Sequence, residues 1–68
     1  MEDKKRLIKE LRECTGLSMR TCEYYLDVTN YNFDDALELV RETAYAVNTP
    51  ISRAKTLREA YEILKGGR

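Results

Sequence analysis

Four residues, Thr15-Gly16-Leu17-Ser18, restrict the folds open to this chain more than any other stretch. Before them Leu7, Ile8, Leu11 and Cys14 recur at three- and four-residue spacing, and after them Met19, Cys22, Tyr25, Leu26 and Thr29 form a second stripe. Two amphipathic helices therefore meet at a tight break. Gly16 stops the first, because glycine enters the left-handed region at a helix end with no Cβ penalty. Ser18 caps the second by offering its hydroxyl to the free N–H groups of the first turn. Helix 1 is expected from Asp3 to about Cys14, with Glu2 and Asp3 at the positive end of its dipole, and helix 2 is expected to end near Asn30.

A second break, Asn30-Tyr31-Asn32, leads into helix 3, with Asn32 as its cap and Asp34 and Asp35 in its first turn. Phe33, Ala36, Leu37, Val40, Ala44 and Val47 share one face at helical periodicity, while Leu39 falls on a flank beside Thr43 and Ala46. A third break at Asn48-Thr49-Pro50 predicts helix 4 from Pro50 to about Lys65, capped by Thr49 and stopped by Gly66-Gly67. Its apolar residues Ile51, Ala54, Leu57, Tyr61 and Leu64 make a narrow seam suited to helix–helix packing. The seam closes on helix 3 within the monomer, or pairs two chains as a homodimer through helix 4. The fold class is all-α: a compact three-helix bundle over residues 1–48 and an additional C-terminal helix over residues 49–68 that packs on it.

At 68 residues the chain has room for one domain and one modest core. It contains no His, and the spacing of Cys14 and Cys22 fits neither a CxxC redox motif nor a zinc site. Both cysteines fall on apolar stripes and are expected as buried free thiols. Asp34 and Asp35 are adjacent at a helix start and do not face each other across a cleft. With no metal ligands, no phosphate loop and no room for a deep pocket, the residues point away from an enzyme and imply no cofactor. No apolar run approaches a membrane span and no secretory leader pattern is present, so a cytoplasmic location is expected.

Twelve basic and twelve acidic side chains cancel, but they are unevenly placed. Residues 1–20 hold six basic against four acidic, residues 21–48 one against six, and residues 49–68 five against two. An acidic middle between basic ends steers charged partners. Of five tyrosines, Tyr25 and Tyr61 lie on packing stripes, whereas Tyr24, Tyr31 and Tyr45 do not, which makes Tyr24 and Tyr45 contact candidates.

The run Leu7-Ile8-Lys9-Glu10-Leu11-Arg12-Glu13, then Thr15-Gly16-Leu17-Ser18-Met19, Cys22 and Leu26, resembles the N-terminal domain of bacterial elongation factor Ts. The later Asn30-Tyr31-Asn32-Phe33-Asp34-Asp35-Ala36-Leu37-Glu38 is similar to its N-G-D-I-E-x-A-I-E segment, a pattern shared with ubiquitin-associated (UBA) domains. The resemblance covers residues 7–42 and implies a UBA-like three-helix fold. In elongation factor Ts this domain docks on elongation factor Tu, whereas nucleotide exchange depends on a larger core domain. Docking without exchange is what the resemblance implies here. Ubiquitin-binding UBA domains use a Met-Gly-Phe loop and an apolar pair at the end of helix 3. Those places hold Thr15-Gly16-Leu17 and Val40-Arg41, and Thr15 and Arg41 remove two apolar anchors, which argues against ubiquitin.

Two functional classes follow. The first is a non-catalytic protein-binding module or small modulator, docking through the helix 1–helix 2 loop and helix 3 with Thr15, Gly16, Leu17, Ser18, Leu39 and Thr43. The second is a nucleic-acid-associated bundle using the basic faces of helix 1 and helix 4. Neutral total charge and the acidic middle favour the protein partner.

Overall fold

The computed structural model describes residues 2–66, an all-α chain with helices α1 (Glu2–Thr15), α2 (Met19–Val28), α3 (Phe33–Val40) and α4 (Leu57–Gly66). A π-helical turn, Arg41–Tyr45, extends α3. Ile8, Leu11, Cys22, Tyr25, Leu26, Val28, Ala36, Leu39, Val40 and Ala60 form one core to which all four helices contribute. Among the described residues no helix is long and apolar enough to cross a membrane. The expected stop at Gly67 lies outside the described residues, and Gly66 is the last helical residue described.

The first break forms as its residues dictate. Gly16 has φ +80 and its N–H reaches Arg12 O at 2.7 Å, ending α1 with a left-handed residue. Ser18 Oγ accepts the Thr21 N–H at 3.2 Å and so caps α2. A Cβ on Gly16 would meet nothing within 4 Å, so the cost of Gly16→Ala is conformational alone. Chemical denaturation is expected to read a loss of ~1–2 kcal/mol for Gly16→Ala. Gly16→Asn should lose less, since Asn tolerates the left-handed region better. Equal stability of Gly16→Ala and the wild type would refute the conformational account of this turn.

At the second break, Asn30 N–H bonds to Asp27 O (3.2 Å) and Tyr31 N–H to Leu26 O (2.6 Å), the paired bonds of a Schellman ending. Asn30 and Tyr31 both take positive φ, +62 and +59. Thr29 is fully buried, and its hydroxyl donates to Tyr25 O at 3.0 Å, so a polar side chain sits in the core at no hydrogen-bond loss. Asn32 Oδ1 then accepts the Asp35 N–H at 3.0 Å, capping α3 as expected.

Three expectations need correction. The face drawn through Ala44 and Val47 ends at Val40, because the π turn, closed by Ala46 N–H to Arg41 O at 3.0 Å, adds a residue and breaks the 3.6 register. Ala44 and Val47 are exposed. Helix 4 begins at Leu57, not Pro50. Thr49 does cap a turn, accepting the Ser52 N–H at 3.0 Å, but Ser52 Oγ takes the Thr49 N–H and closes that turn on itself. Thr56 is the true cap of α4: its hydroxyl accepts the Glu59 N–H at 3.0 Å, and Glu59 Oε1 accepts the Lys55 N–H at 3.2 Å. Finally, Cys14 is exposed; the buried line of α1 runs through Ile8 and Leu11 to half-buried Thr15, and only Cys22 of the two free thiols is buried.

The α4 seam packs inside the chain. Leu57, Tyr61 and Leu64 of α4, with Ile51 and Ala54 from the segment before it, are partly buried against the core, and Ala60 is buried within it. α4 rests on α2 as well as α3. A polar latch adds to this contact: Tyr61 OH donates to Asp35 Oδ2 at 2.8 Å, and Lys65 Nζ lies 3.6 Å from the same oxygen. The bond to the Asp35 carboxylate, with partial burial and the Asp35 charge, raises the Tyr61 pKa above its usual value, and Lys65 opposes the shift.

Candidate functional site

Thr15 organises the α1–α2 loop from within. Its hydroxyl donates to Leu11 O at 2.7 Å, one turn back, and accepts the Leu17 N–H at 3.2 Å. The Cys22 thiol lies beneath, 3.9 Å from both Thr15 Oγ1 and Leu17 O. Tyr45, from the π turn, reaches across and donates its hydroxyl to Thr15 O at 2.6 Å. This satisfies a carbonyl that the end of α1 leaves without a helical partner. The loop is thereby fastened at both ends and from the side.

A second tyrosine holds the π turn itself. Thr43 Oγ1 donates to Leu39 O at 2.7 Å, which leaves its lone pairs to accept the Tyr25 hydroxyl at 2.6 Å. Thr43 and Tyr45 therefore tie the turn to α2 and to the loop respectively.

The structure treats the six expected contact residues differently. Gly16 and Ser18 are exposed, Thr15 is half-buried and central to the loop, and Leu17 is half-buried with its side chain against the core. Thr43 is half-buried, and its hydroxyl is committed to the Tyr25 and Leu39 bonds. Leu39 is 0% exposed and belongs to the core, so it is not available for docking. Its place on the flank of an ideal helix put it outside the main stripe, but α1, α2 and α4 enclose α3 on a wider arc than one stripe covers.

Among the described residues four large apolar side chains are exposed: Met19 at 50%, Tyr24 at 56%, Tyr45 at 58% and Val47 at 79%. Three of them lie in or next to the loop and the π turn along the chain. Met19 begins α2 directly after the loop, Tyr45 is bonded to the loop, and Val47 lies two residues further along the chain. Met19 was expected on the packing stripe, yet buried Cys22, Tyr25, Leu26 and Thr29 form the face and leave the first turn of α2 outside it. Met19 and Val47 are exposed residues that periodicity assigned to the core. A signal for both was present in their positions, each next to a break where regular packing ends.

Among the described residues no group of three or more His, Cys, Asp or Glu is placed to hold a metal ion. No protein-family model matches the chain, and no solved structure matches it.

Proposed function

We propose that this protein is a non-catalytic protein-binding module that docks through the α1–α2 loop and the π turn. The observation that carries the reading is the exposure of Met19 and Tyr45 on either side of a loop fastened by Thr15, Gly16, Ser18 and Tyr45, with Val47 exposed two residues beyond Tyr45. Apolar and aromatic side chains beside a pre-ordered loop bury area at little entropic cost when a partner arrives. Met and Tyr are among the residues enriched at such surfaces. Elongation factor Tu is the first partner to test, on the resemblance of residues 7–42 to the N-terminal domain of elongation factor Ts. A reducing cytoplasm fits the free thiols at Cys14 and Cys22.

Nucleic-acid association is the competing reading, with Lys4, Lys5, Arg6, Lys9 and Arg12 all exposed on α1. Asp3, Glu10 and Glu13 are exposed on the same helix and dilute that charge. Phosphate binding would weaken steeply with added salt, and an apolar protein contact would not.

The deciding experiment compares wild type with Met19→Ser and Tyr45→Ala, first against purified elongation factor Tu and then by capture from bacterial lysate with mass spectrometry. Both positions are exposed, so the variants are expected to stay folded by circular dichroism. Loss of an anchor at the centre of a docking surface costs ~2 kcal/mol, about thirtyfold in affinity. Folded variants that capture the same proteins as wild type would sink the reading.

A further inference from the structure

The described residues after Asn48 form one arm. Thr49 and Ser52 close a turn on themselves, Ile51 and Ala54 lie partly buried against the core, and α4 follows with Ala60, Tyr61 and Leu64. The arm packs chiefly on α2 and α3, and Tyr61 and Lys65 fasten it to Asp35. Ala46, Val47 and Asn48 are all that separates it from the π turn.

These residues have the features of a hinge. Val47 and Asn48 are exposed, and neither makes a hydrogen bond to any described residue. Asn48 takes φ +61, in the left-handed region, and sets there the direction in which the arm leaves the body. Asn tolerates that region better than most side chains, but only glycine takes it freely. A second copy of the chain offers the arm an identical seat. With Asn48 extended, three residues span about 10 Å, enough to carry the arm onto an adjacent body. Every contact of the arm is then remade between chains, the Tyr61 and Lys65 contacts with Asp35 included. Such an exchange alters only the hinge and the entropy of association, and a short hinge under backbone strain favours it.

We propose that this chain forms a swapped dimer, in which the arm of residues 49–66 from each copy packs on α2 and α3 of the other. The occupant is fixed by what already fits the seat: α4 fills it within one chain, and the α4 of a second copy presents the same Leu57, Ala60, Tyr61 and Leu64. The exchange does not rest on the loop surface binding a partner, and either reading can fail without the other.

The test is sedimentation equilibrium of the whole chain and two hinge variants, each refolded from urea at the concentration measured. A tethered arm meets its own seat at an effective concentration on the order of 1 mM, so wild type is expected to be monomeric at ~10 µM and to dimerise at ~1–3 mM. Asn48→Val places a β-branched residue at positive φ and disfavours the closed hinge about tenfold. A dimer opens two hinges, so the variant is expected to dimerise about a hundredfold more tightly, near ~10 µM. Asn48→Gly relieves the closed hinge and should dimerise about tenfold more weakly than wild type. In dimers mixed from labelled and unlabelled chains, isotope-filtered NMR is expected to find the Tyr61 ring against Asp35 of the other chain. A folded Asn48→Val variant that stays monomeric at ~1 mM would overturn the proposal. Equal dimerisation of the two variants, or a dimer whose Tyr61–Asp35 contact stays within one chain, would do the same. Should Asn48→Val not fold, wild type decides alone, and a chain still monomeric at ~3 mM contradicts the exchange.

Discussion

Replacing Leu39 by alanine is expected to destabilise the protein by ~3 kcal/mol or more, and by serine further still. Leu39 is fully buried, and leucine-to-alanine changes at such sites cost ~2–5 kcal/mol through lost transfer energy and the cavity left behind. A 68-residue domain has total stability on the order of 3–10 kcal/mol, so one such change removes a large share of it. Serine adds a hydroxyl to the core, and its best local partner, a carbonyl one turn back, compensates only in part. Thermal melts by circular dichroism check this. A Leu39→Ser variant that melts near wild type while losing partner binding would return Leu39 to the docking surface and contradict its burial.

Tyr61→Ala is expected to cost about 3 kcal/mol and to loosen α4 from the bundle. The half-buried ring packs on the core, and its hydroxyl bonds to the Asp35 carboxylate. Half the usual cost of removing a buried aromatic ring, ~2 kcal/mol, adds to ~1 kcal/mol for a partly exposed bond to a charged acceptor. Tyr61→Phe keeps the ring and should lose only the second contribution. Amide hydrogen exchange would report the consequence locally: protection across Leu57–Gly66 should fall in Tyr61→Ala before that of α1 and α2 does. If Tyr61→Ala melts like wild type, residues 49–68 are an appendage to an independent bundle rather than part of one core.

Helix starts and stops were legible in particular residues. Gly16, Ser18 and Asn32 act through contacts within four residues of themselves, and each occupies the role its chemistry dictates. Thr56 and Glu59 form a similar local signal, overridden in the reading by the stronger punctuation of Thr49-Pro50. The candidate site was legible only in its loop. Thr15, Gly16, Leu17 and Ser18 can be located from the break itself, whereas Tyr45, Met19 and Val47 join the site because of how distant segments meet.

What the sequence by itself determined is therefore the all-α class, the breaks near Gly16, Asn30–Asn32 and Asn48–Pro50, and the caps of α2 and α3. Short-range hydrogen bonding and backbone sterics decide these, and both are complete within a few residues. The tertiary structure alone decided which flank of each stripe is covered. It buried Leu39 and Ala60, exposed Cys14 and Met19, and admitted a π turn that aims Thr43 at Tyr25 and Tyr45 at Thr15. A helical period of 3.6 leaves i+3 and i+4 neighbours nearly equivalent, and the choice between them falls to the helices packed alongside.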